Sequence, residues 1–205
     1  MRPAALMLLA EADALPPILR RLDERDFNVP TVLPGWTVRD VIAHCSGAMS
    51  HVVDGTLHRF TPEDNEADVQ TRRSWPTGDL IDELVAGYRA TAHAIDASGG
   101  LLDGLGLGEW VHGGDVREAL GRDDAYISAG VEYAIDLIVE RSREAEVPNV
   151  MVTVGAREVT LGVGVPVGRL TTDVACLVRL VAGRNPDEWS YTITGVAPGD
   201  LVLFT

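Results

Sequence analysis

Lysine is absent from this chain, and all 17 basic residues are arginine. The absence removes every mechanism that needs a lysine amine, including Schiff-base chemistry, pyridoxal phosphate attachment and a Walker-type phosphate loop. Cysteine is almost as scarce. Cys45 and Cys176 stand far apart, without the spacing of a zinc knuckle or a redox pair, which fits a reducing, cytoplasmic setting. Long apolar runs are also missing: the stretch Ala4 to Ala10 is apolar, but Glu11 and Asp13 interrupt it before a signal core or membrane span can form. The expectation is a soluble protein that keeps its N-terminus and has no membrane partner. Positive charge is outweighed, with a net charge of -14, so no surface is expected to track a phosphate backbone and nucleic acid is excluded as a partner. What the chain does have is 205 residues of which 46% are apolar, enough for one large domain or two modest ones.

Apolar positions from Pro3 to about Asp23 recur at helical spacing, with a break predicted at Pro16-Pro17. Thr37-Val38-Arg39-Asp40 reads as a variant capping box, so a second helix should start there and run through His44 and His51. The acidic stretch from Pro62 to Asp68 reads as a loop. A third helix is expected from about Gly78 to Ala97, a fourth around Glu109 to Leu120, and another from about Ala129 to Ala145. Near Pro148 the period becomes alternating. Strands are predicted at 151–154, 158–163, 189–194 and 201–204, with a short helix from Thr172 to Ala182. The fold class is therefore α plus α+β: a helical domain over residues 1–145 and a small α+β domain over 146–205, without internal repeats.

All five histidines fall in the helical part. His44 and His112 lie on different helices, and packing those helices side by side would bring two imidazoles and a carboxylate to one point, as helical bundles do when they build metal sites. Zinc accepts imidazole nitrogen and carboxylate oxygen, and a catalytic site uses about three protein ligands with one position open. Glu109 and Asp115, each three residues from His112, are the candidate carboxylates. Asp40 has a simpler role as a cap partner. His51 shares a face with His44 two turns away, and His58 and His93 are expected at the rim. Cys45 points about 100° from His44 on the helix and is expected to be a buried thiol. Trp36 and Trp110 are expected in the core. Gly113-Gly114 inside a helix costs on the order of 1 kcal/mol per residue relative to alanine. Either a bulky group approaches the backbone there or two helices cross closely.

The segment Pro34-Gly35-Trp36-Thr37-Val38-Arg39-Asp40-Val41-Ile42-Ala43-His44, followed by Trp110-Val111-His112-Gly113-Gly114-Asp115-Val116, resembles the mycothiol-dependent maleylpyruvate isomerase family of the DinB-like superfamily. The resemblance covers nearly the whole chain, and Leu177 to Arg184 with the closing strands is similar to that family's small sterol-carrier-like C-terminal domain. It implies a DinB-like four-helix bundle holding a divalent metal, commonly zinc, with His44 and His112 matching two ligands. The family's glutamate lies four residues before its second histidine, where this chain has Gly108, so Glu109 becomes the third ligand and Asp115 its substitute. The resemblance also implies mycothiol as cosubstrate, with a thiolate that adds to a conjugated cis alkene, lets the new single bond rotate, and leaves to give the trans product. Relatives that stop after addition or displacement are thiol S-transferases. The implied partners are a low-molecular-weight thiol and a small, carboxylated electrophile, for which Arg169, Arg179 and Arg184 are candidate anion partners. Two other functions stay open: hydrolysis by metal-bound water, and a metal-free binding or regulatory module, which Gly108 favours.

Overall fold

Local sequence signals set the first helices. The computed structural model describes residues 1–56, 61–184 and 191–204. Helix α1 (Pro3–Ala14) ends where the proline pair begins, and α2 (Pro16–Leu19) is a single turn. Helix α3 (Val38–Val53) opens on the predicted capping box: the Asp40 backbone N–H donates to the Thr37 hydroxyl, and the Thr37 backbone N–H donates to Asp40 Oδ2 at 2.9 Å. Those two bonds satisfy donors that the first helical turn leaves unpaired.

Helix α4 (Pro62–Arg72) replaces the loop expected over Pro62 to Asp68. Its polarity is misleading because Thr61 caps it, Pro62 occupies the first turn, and Glu63 and Asp64 complement the positive end of the helix dipole. Helix α5 (Thr77–Ala97) follows the expected stripe. Helix α6 (Asp103–Ala119) starts well before the predicted Glu109. Gly104, Gly106 and Gly108 weaken the local helical signal, but Gly106 packs so close to α1 that a Cβ would sit 2.7 Å from the Ala4 carbonyl oxygen. Tertiary packing thus overrides propensity.

Helices α1, α3, α5 and α6 form a four-helix bundle in which α3 meets α5, α5 meets α1, α1 meets α6, and α6 meets both α3 and α5. Met7, Leu8, Val41, Ile42, Met49, Leu80, Leu84, Leu107 and Trp110 fill its core.

The chain divides into two units, Met1–Gly130 and Val131–Thr205. Helix α7 (Val131–Glu144) therefore goes with the second unit, where it contacts the sheet and the last helix, and the division falls earlier than residue 145. An amphipathic stripe does not say whether a sheet or a helix will cover it. Strands β1 (Val150–Val154), β2 (Arg157–Leu161), β3 (Gly168–Thr172) and β4 (Tyr191–Thr194) form one sheet in the order β2-β1-β3-β4. β1 pairs antiparallel with β2 and parallel with β3, and β3 pairs antiparallel with β4. Helix α8 (Val174–Val181) is capped by Asp173.

β3 is not among the predicted strands: its burial alternates, but Leu170 is its one large apolar residue, so the alternation does not show in the sequence. The predicted strand at 201–204 is corrected: Pro198–Leu201 forms a 3-10 turn, and Leu203 donates one hydrogen bond to the Val181 carbonyl at 2.8 Å without joining the sheet. Residues 189 and 190 of the third predicted strand lie outside the described residues. No helix among the described residues is long and apolar enough to cross a membrane.

Candidate functional site

The α3–α6 contact brings the two motif histidines together. Their ring centroids are 5.3 Å apart and nearly perpendicular, and the Trp36 ring lies 5.2 Å from that of His44. His44 is 5% exposed, and its Nδ1 has no hydrogen-bond partner among the described residues. Burial, and then the charge of His112, push its pKa down to about 3, so the ring is neutral with a lone pair to offer. His112 keeps 20% of its side chain exposed, and its Nδ1 lies 3.1 Å from Asp115 Oδ2.

Glu109 is buried on the same helix, close enough to His112 for that charge to act on its carboxyl; Cys45 of α3 and Tyr88 of α5 also act on it, and its Oε2 has no partner among the described residues. Burial raises its pKa to about 7, against the opposing pull of the His112 charge and the Cys45 and Tyr88 neighbours. Cys45 is buried, and burial followed by the Glu109 charge holds its thiol far above the usual range, so it is no nucleophile. No three His, Cys, Asp or Glu side chains converge closely enough to hold a metal ion among the described residues.

The remaining candidates separate from this point. His51 pairs through Nε2 with Asp68 at 3.0 Å and through Nδ1 with Thr56 at 3.1 Å. Asp40 is the cap partner expected of it. His93 is exposed, and His58 lies outside the described residues. Trp110 is buried, with its indole N–H donating to the Ala129 carbonyl at 3.0 Å, whereas Trp36 covers His44 instead of joining the core. In the second unit, Arg169 lines an open pocket of about 260 Å³ with Met151, Pro166, Gly168 and Thr194.

Gly113 and Gly114 each admit a side chain. Glu11 of α1 and Arg117 occupy the space beside Gly113, paired at 2.5 Å with both side chains fully buried. The ring of Tyr126 occupies the space beside Gly114. Tyr126 and the Glu11–Arg117 pair were not singled out from the sequence, and the glycine pair was the signal that something approached there.

Fold and site together define a two-part protein, a helical bundle carrying a facing pair of histidines followed by a small mixed sheet with helices. Residues 8–101 match the family described as the mycothiol maleylpyruvate isomerase N-terminal domain, a stretch that includes His44 and ends before His112. Over this stretch the chain is similar to the N-terminal domain of that family. The fold is that of the crystal structure of the mycothiol-dependent maleylpyruvate isomerase, with a TM-score of 0.64 at 15% identity over 95% of this chain and 93% of that one. A histidine-to-alanine mutant of that enzyme matches with a TM-score of 0.63 at 14% identity, over the same shares of both chains. No curated protein matches the sequence.

Proposed function

We propose that this chain is an enzyme that uses mycothiol to isomerise a small, carboxylated electrophile or to transfer the thiol onto it. The observation that carries the reading is the facing pair His44 and His112 in a bundle whose N-terminal stretch is similar to the isomerase family's N-terminal domain. His44 and His112 would supply two ligands to a divalent metal, zinc by its preference for imidazole, and Glu109 the third. The unpartnered, buried His44 Nδ1 and Glu109 Oε2 fit such a role, because buried polar atoms ordinarily have partners. A divalent metal held there would favour thiolate over thiol and so supply a strong nucleophile at neutral pH.

The protein's own residues have separable tasks. Burial keeps the His44 ring unprotonated. His112 lies against Asp115 through Nδ1, and the Trp36 ring packs near the His44 ring. The nucleophile has to come from outside, since Cys45 is buried and protonated.

Elemental analysis of protein purified without a metal-affinity tag tests the reading, alongside His44→Ala and His112→Ala. The native protein should carry about one equivalent of metal, in line with a single site. Both variants should lose it together with mycothiol-dependent turnover. A His44→Ala variant with stoichiometric zinc would sink the proposal. Gly108, four residues before His112, favours a second reading, a metal-free binding or regulatory module on the same bundle. That reading gains if zinc neither binds nor raises thermal stability, because a ligand that prefers the native state must stabilise it.

A further inference from the structure

Two residues that the proposed chemistry leaves in the background form a chain of hydrogen bonds ending on His112. The Tyr126 hydroxyl lies 2.6 Å from Asp115 Oδ1, and Asp115 Oδ2 lies 3.1 Å from His112 Nδ1. Asp115 and Tyr126 are both 0% exposed, whereas the His112 side chain reaches solvent. Glu118 Oε2 is a second acceptor near the hydroxyl at 3.0 Å, but the hydroxyl has one hydrogen and the shorter separation assigns it to Asp115. With Asp115 ionised its oxygens only accept, which puts the hydrogen on His112 Nδ1 and the lone pair on Nε2.

Two local irregularities serve this arrangement. Tyr126 has φ of 59°, the left-handed region that a bulky residue rarely adopts, and that conformation persists only where surroundings impose it. Its ring fills the space that any side chain at residue 114 would take, and Gly114 leaves it free. A helix-weakening glycine and an unfavourable backbone angle thus converge on one hydroxyl.

We propose that Tyr126 and Asp115 are positioning residues that fix His112 in the Nδ1–H tautomer with Nε2 directed to the site. The inference rests on the reading of His112 as a functional residue. It also gives Asp115 a supporting role and not a ligand's, since both its oxygens are engaged. Such outer partners of a ligating histidine orient it and raise its basicity.

The geometry dictates an unusual response to substitution. In Asp115→Asn the Tyr126 hydroxyl still donates to the side-chain oxygen, which turns the amide NH₂ toward His112 Nδ1 and forces the opposite, Nε2–H tautomer. Adding Tyr126→Phe removes that constraint, and the amide turns to offer its oxygen to His112. Long-range proton–nitrogen correlation spectra of the metal-free protein, recorded under mildly alkaline conditions, read the tautomer directly. The expected series is Nδ1–H in the native protein, Nε2–H in Asp115→Asn, and recovered Nδ1–H in the double variant. Zinc affinity, measured by competition with a chelating dye, should fall about 10–100-fold in Asp115→Asn and recover in part in the double variant. A purely structural role would give additive losses and no recovery.

An unchanged tautomer in Asp115→Asn overturns the proposal, as does a native His112 that carries its hydrogen on Nε2. If the native protein binds no zinc while the tautomers follow the expected series, the metal reading fails and the positioning role stands. Should Asp115→Asn not fold, Tyr126→Phe alone carries the test. It removes a single oxygen and should weaken zinc binding about tenfold, and an unaltered affinity overturns the role of Tyr126.

Discussion

Glu11 and Arg117 are a fully buried ion pair between α1 and α6, seated against Gly113, where any added Cβ would collide with the Glu11 carboxylate. Burial drives the Glu11 pKa up and the Arg117 charge draws it down, with a net rise, so the carboxylate depends on its partner to stay ionised. Arg117→Met should therefore lower stability by about 3–5 kcal/mol in urea unfolding, because it strands an uncompensated buried charge. Replacing both partners, as Glu11→Leu with Arg117→Met, should recover most of that loss, since a buried pair is worth little against apolar residues of similar volume. A double variant no more stable than Arg117→Met would show that the pair is irreplaceable. This residue-level link matters to the site because Arg117 and His112 share α6, which the pair fixes against α1.

At the level of elements, the carboxylate of Glu83 joins α4 to two helices of the bundle. Glu83 of α5 accepts from Arg72 of α4 at 2.6 Å and 3.0 Å, from Ser50 of α3 at 3.1 Å, and from Ser46. Burial raises the Glu83 pKa, but the hydrogen bonds from Arg72 and Ser46 and the Arg72 charge outweigh it and leave the carboxyl below its ordinary value. A depressed acid stabilises the fold above its unfolded pKa, about 4.3 for glutamate, and loses that contribution as pH falls through the folded value. The stability gap between native protein and Glu83→Gln should thus be constant from neutral pH down to about 5 and shrink below it. A gap that stays constant through the acid range would remove Glu83 from this role. The same element explains what the sequence hid. The capping box at Thr37 and the stripe of α5 were legible because both are local patterns. Helix α4 was not, since its burial comes from Asp68, Val69 and Arg72 meeting neighbours remote in sequence. At the site the histidine pair was legible from its motifs, while Tyr126 was hidden in a turn whose backbone angle no pattern announces.

For the whole molecule, the histidines and the proposed metal belong to Met1–Gly130, while Val131–Thr205 has its own sheet, helices and buried residues. Zinc at about a hundredfold its Kd should add about 2.7 kcal/mol to the unit that binds it. Hydrogen exchange should accordingly slow in α3 and α6 on adding zinc, with β1 and β3 unaltered, and equal slowing in both units would mean that they unfold as one. The same partition extends to protons. Val131–Thr205 has no histidine, and burial pushes its one thiol, Cys176, above the usual range. Histidine is the side chain whose ordinary pKa falls between about pH 5 and 8, and this half carries none. A signal from that half which follows the titration of the histidines reports on the other half, so its spectrum is a built-in gauge of communication between the two.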